Sequence, residues 1–164
     1  MLENGDLLIW EPLQVNPFDR FHAPMNLVSM HFEGDFVLKF NTFNSSMEYV
    51  FTYKQSQSNY YAIRHFRILE EFIRHDVEIL IDQFRLKRES LGLPKLTYDS
   101  TFFKIENSSF LSWYRSIDPS FPLQEDCCVE HHLYITTDYF IDVLSEQQPN
   151  ITISTKNESG NILE

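Results

Sequence analysis

Asn59–Leu91, NYYAIRHFRILEEFIRHDVEILIDQFRLKRESL, is the stretch whose reading decides the fold. Ala62, Phe66, Leu69, Ile73, Val77, Leu80 and Phe84 recur at spacings of four, three, four, four, three and four. Residues so spaced share one side of a helix with 3.6 residues per turn, so the stretch predicts one long amphipathic helix, about 59–91. Tyr61, Ile68, Phe72 and Ile79 widen the apolar face beyond a coiled-coil seam, which favours packing on a sheet. Ser58 is placed to cap the start, and Gly92 followed by Pro94 to end it. Arg85, Lys87 and Arg88 lie in the last turns, where cations complement the helix dipole. A break near His75-Asp76 is the alternative within this reading.

Upstream, Leu27–Phe43 (LVSMHFEGDFVLKFNTF) alternates apolar and polar residues on both sides of Gly34-Asp35, a hairpin signature. Met47–Lys54 adds a third strand, with Tyr49, Phe51 and Tyr53 on one side. Downstream, Thr101–Glu106 reads as a strand. Asn107 or Ser108 caps a short helix, SSFLSWYRS, and His132–Thr136 reads as a strand. Thr136 or Thr137 caps a second short helix, Asp138–Leu144, and Ile151–Ser154 is a last strand. The expected fold is α+β: an antiparallel sheet of about five strands packed against the long helix, with two short helices beside it. Residues 1–26 read as an extended arm with an edge strand at Leu7–Trp10, 27–154 as a single α+β domain, and 155–164 as a flexible polar tail.

A chain of 164 residues with 15 phenylalanines can build one core without disulfide or metal staples. Its 24 acidic against 13 basic side chains give a formal net charge of −11. That sign argues against nucleic acid and against anionic membranes as partners, and suits a basic protein partner. The start, MLENGDLLIWEPL, has neither a positive n-region nor a long apolar run, so a cytoplasmic location without a secretory signal is expected. No phosphate loop, nucleophile elbow or dinucleotide fingerprint occurs, and no cofactor is expected.

The densest set of chemical side chains is CCVEHH, Cys127 to His132. As a metal site it lacks a second Cys/His pair, which structural zinc requires. As a nucleophile site it needs the chain to turn back before His131 or His132 can serve as base, and no flanking Gly-rich or helix-start context supplies an oxyanion hole. On a strand, Cys127, Val129 and His131 face one way and Cys128, Glu130 and His132 the other. The commoner role of such residues is strand packing. Asp138 and Asp142 lie four apart, one turn on the expected helix. Trp10, Trp113 and Tyr114, together with those two acids, are the candidates for a protein-interaction surface, because Trp and Tyr dominate binding energetics. The leading functional expectation is a non-enzymatic interaction module of the immunity, chaperone or regulatory kind, with a homodimer compatible. The alternative is an enzyme or small-ligand protein with a pocket near Cys128, His131 and His132.

Overall fold

The structure, a computed structural model, describes residues 3–43, 45–55, 61–118 and 128–155. These residues form nine strands in two antiparallel sheets, with two helices and a 3₁₀ turn. The hairpin is β2 (Met25–Glu33) and β3 (Asp35–Thr42), joined at Gly34, whose φ of +75° suits a residue without a Cβ. β4 (Met47–Tyr53) pairs with β3, and β9 (Asn150–Thr155) pairs with β4, giving the order β2-β3-β4-β9. The other sheet has the order β1-β6-β7-β8-β5, from β1 (Asp6–Ile9), β6 (Phe102–Glu106), β7 (Glu130–Ile135), β8 (Tyr139–Ser145) and β5 (His65–Glu70).

Two expectations are overturned. The stretch read as one long helix is β5, the 3₁₀ turn Glu71–Ile73, then α1 (His75–Ser90). HFRILE alternates as well as it spirals, and a six-residue register with β8 decides in favour of the strand. Only Val77, Leu80, Ile81 and Phe84 make the inward stripe of α1, and Ile73 is exposed. The sheet covered by one long helix therefore becomes two sheets and a shorter helix. The break near His75 is the true start of α1, and Gly92, at φ +65°, ends it. Asp138–Leu144 is not a helix either. It is the turn residue Asp138 followed by β8, a strand paired on both edges and buried on both faces. A strand of that kind shows a continuous apolar run with no solvent-facing alternation, so its periodicity resembles that of a buried helix. The other short helix is α2 (Ser109–Ile117), capped by Ser108, whose Oγ accepts the Leu111 N–H at 3.0 Å.

The five-stranded sheet is the middle layer. Its inner face meets the four-stranded sheet through Phe102, Tyr134, Ile141 and Val143 against Phe36, Leu38, Phe40, Phe51 and Tyr53. Phe51 stacks on Phe102 at 5.5 Å and Phe40 on Tyr134 at 5.4 Å. Full burial of rings of this size contributes about 1.5–3 kcal/mol each. The stretch expected to be an extended arm is built into the body from Glu3 on: β1 forms a sheet edge, and Trp10, Leu13 and Phe18 join the inter-sheet core. The outer face carries α1, over Leu7, Phe103, Ile105, Leu133, Ile135 and Phe140, and α2, whose Phe110 packs on Val129 and Leu144. No helix among the described residues is long and apolar enough to cross a membrane. Residues 156–164 of the expected tail, Ser58 and Cys127 lie outside the described residues.

Candidate functional site

β7 splits the two histidines of CCVEHH between the two faces of the middle sheet, as strand alternation requires. Val129 packs beside Phe110 under α2. Glu130 and His132 meet on the other side, His132 Nε2 lying 2.9 Å from Glu130 Oε2. Cys128 is exposed. Among the described residues, no three His, Cys, Asp or Glu side chains are grouped to hold a metal ion.

On the inner face, His132 lies under Trp10, the rings stacked 4.4 Å apart. Its Nδ1 is 2.7 Å from the Tyr53 hydroxyl, which is 2.6 Å from that of Tyr134. With the proton on Nε2, one direction of donation satisfies the whole line. Tyr134 donates to Tyr53, Tyr53 to His132, and His132 to Glu130. Burial pushes the His132 imidazole pKa down against the pull of Glu130, and pushes both tyrosine hydroxyls up. Glu130 is held at about 2 by the His132 hydrogen bond, against partial burial, with further help from Lys104 at 2.7 Å.

On the outer face, His131 repeats the pattern with different neighbours. Its Nδ1 is 2.7 Å from Ser108 Oγ, and its Nε2 is 2.7 Å from Asp142 Oδ1. Asp142 lies on β8 beside His131's strand, and its Oδ2 accepts from Arg67 Nε and Arg74 Nη1, both at 2.6 Å. Arg74 Nε donates to Asp76 at 3.0 Å. Burial alone would push the Asp142 carboxyl up. The His131 hydrogen bond, with Arg74 and Arg67, outweighs it and holds the group well below the usual carboxylate range. The same carboxylates raise Arg74 despite its burial. Arg67 also lies over the Phe110 ring, 4.1 Å from its centroid.

Glu3 closes this cluster. Its carboxylate accepts the Ser109 N–H at 2.7 Å and the Phe110 N–H at 3.2 Å, the first free amides of α2. Ser109 Oγ donates to it at 3.0 Å, and Ser108 Oγ lies within 3.3 Å. The Glu3 N–H donates to Asp76 at 2.7 Å. The chain then passes through Gly5, where a Cβ would collide with the Glu106 carbonyl and the Ile105 side chain. Two guanidiniums thus face three carboxylates, Glu3, Asp76 and Asp142, with an imidazole and a serine hydroxyl between them.

Of the residues expected to form an interaction surface, Trp10 and Asp142 are buried. Trp113 and Tyr114 are half-buried against His65, whose ring stacks on Tyr114 at 5.5 Å. Asp138 is exposed in the β7–β8 turn, and because β8 is a strand it shares no helix face with Asp142. Sequence reasoning missed Glu3, Tyr53, Arg67 and Arg74 and saw Ser108 only as a cap. Arg74 carried one usable signal. A cation at the start of α1 opposes the helix dipole, so it needs a partner from elsewhere in the fold.

No family model matches the chain, and no curated protein or solved structure matches it.

Proposed function

We propose that this protein is a cytoplasmic interaction module, of the immunity, chaperone or regulatory kind, that binds a basic protein partner. One observation carries the reading: a corner where acids surround exposed apolar side chains. Glu70 pairs with Tyr139, and the Glu71 N–H donates to the Asp138 carbonyl at 3.0 Å. This brings the exposed carboxylates of Glu70 and Asp138, and the partly exposed one of Glu71, beside Phe72, Ile73 and Tyr139, which are 71%, 51% and 37% exposed. Arg20, the basic side chain that reaches Glu71, is largely buried and is also held by Glu78. Contiguous apolar surface rimmed by one sign of charge fits a partner with cations around an apolar anchor.

The test compares the unaltered chain with a Glu70→Lys/Asp138→Lys variant as baits in affinity capture. The expected partner is basic, elutes between about 50 and 300 mM salt as screening grows, and is lost by the charge-reversed bait. A partner held equally by both baits, or an acidic one, overturns the reading. Concentration-dependent self-association through the same corner would make a second copy the occupant instead.

A second reading, an enzyme or small-ligand protein near Cys128, His131 and His132, is favoured by a separate observation: the Ser108–His131–Asp142 line.

A further inference from the structure

Ser108 stands at a strand–turn–helix junction. β6 ends at Glu106, Asn107 takes a left-handed φ of 52°, and Ser108 opens α2. This places Oγ within 3.3 Å of the Glu3 carboxylate that the Ser109 and Phe110 amides hold, and within 2.7 Å of His131 Nδ1, while Asp142 fixes the far nitrogen of the ring. The two amides hold an anion, the Glu3 carboxylate. A nucleophile bonded to a base, a base bonded to an orienting carboxylate, and adjacent amides gripping negative charge are the parts of an acyl-transfer site. Beside it lies a cavity of about 640 Å³ whose wall includes Lys104, Asn107, Ser108, Leu111, Arg115 and His131.

We propose that Ser108 and His131, positioned by Asp142, form an acyl-transfer site for small carboxylic esters, which the Glu3 carboxylate of the same chain holds shut. The inference rests on the enzyme reading and is independent of the acidic corner. When Glu3 withdraws, the Ser109 and Phe110 amides receive the oxyanion. Ser108 Oγ bonds to the ester carbonyl carbon as its proton passes to His131 Nδ1. The carbon–oxygen bond to the alcohol breaks, and the alcohol leaves with that proton. Water then attacks the acyl-serine, His131 taking its proton and returning it to Ser108, so that acid and alcohol are the products. Asp142 keeps the ring oriented with Nδ1 toward the serine. Leu111 in the cavity wall suits the acyl chain, while Lys104, bonded to Glu130 at 2.7 Å, and Arg115 are balanced there by Glu106 and Glu130. Release has a natural limit, since β1 stays paired to β6 from Asp6 to Ile9 while residues up to Gly5 lift away.

The full chain is tested in a Cys127→Ser/Cys128→Ser background, so that thiols do not consume ester. Probes are 4-nitrophenyl acetate and a fluorophosphonate whose adduct is mapped by mass spectrometry. Glu3→Ala is expected to raise turnover on the order of 10²-fold, the scale of freeing one oxyanion donor, with the adduct on Ser108. Adding Ser108→Ala or His131→Ala abolishes both signals. Adding Asp142→Asn displaces the pH profile of labelling, which lost packing alone would not do. A folded Glu3→Ala protein with neither turnover above the parent nor an adduct overturns the site. If Glu3→Ala unfolds, Glu3→Val, whose side chain carries no acceptor for the two amides, is read in the same way. If both unfold, prolonged labelling of the parent decides, an adduct on Ser108 supporting the site and its absence overturning it. Loss of a basic partner in the capture experiment leaves this result untouched, so the two readings fail separately.

Discussion

His131 and His132 are neighbours in the chain and share one bonding pattern, a hydroxyl on Nδ1 and a carboxylate on Nε2, yet they inhabit opposite chemistries. His132 sits among rings, its carboxylate partner Glu130 partly in water and its hydroxyl partner Tyr53 fully buried. His131 sits among charges, its carboxylate partner fully buried and gripped by two guanidiniums. The inner face is stabilised by apolar area and aromatic packing. The outer face holds desolvated charges paired with one another, with Arg67 Nη2 and Arg74 Nη2 left without a hydrogen bond, and removing one member exposes the cost of all the others.

The largest expected effect tests that asymmetry. Asp142→Ala leaves Arg67 and Arg74 desolvated without their shared carboxylate and is expected to cost about 3–5 kcal/mol in denaturant unfolding. A loss below about 1 kcal/mol would erase the distinction between the faces. On the inner face, Tyr53→Phe removes the hydroxyl that links Tyr134 to His132 while the ring stays in place. The expected loss is smaller, about 1–3 kcal/mol, for buried partners left unsatisfied.

The smallest effect is with pH. Burial lowers the His132 pKa below its ordinary 6.5, so the folded state binds fewer protons than the unfolded state there. Stability is then fully present above about 6.5 and declines as pH falls through that value toward the folded pKa. Unfolding measured from pH 7.5 to 5.5 should show this decline, with a shallower slope in His132→Gln; equal slopes would assign the response elsewhere. Carboxylates act at lower pH with the same sign. Glu130, at about 2 in the fold against 4.5 unperturbed, contributes above 4.5 and loses that contribution as pH falls from 4.5 toward 2, an effect reduced by its partial exposure.

Local signals were legible where one face of an element meets water or a turn needs special backbone. The β2–β3 hairpin, β4, β6, the Ser108 cap and the Gly92 stop all follow from alternation, Gly at positive φ and a hydroxyl before an apolar run. The alternation that divides His131 from His132 was legible for the same reason. β5 and β8 were not, because both lie within the middle layer, and β8 is buried on both faces. The candidate site was legible only in fragments. Ser108, His131 and Asp142 are separated by 23 and 11 residues, and nothing local links them to Glu3, 105 residues before Ser108.

The sequence by itself determined the α+β class, the meander of aromatic strands, the start and end of α2's cap and α1's stop, and the opposite facing of the paired histidines, because each depends on chain stereochemistry over a few residues. Tertiary structure alone decided that the chain builds two sheets, that HFRILE extends rather than coils, and that Glu3, Ser108, His131 and Asp142 converge. Those outcomes depend on which strands pair and which charges must be desolvated together, and both are set by contacts between residues far apart in the chain.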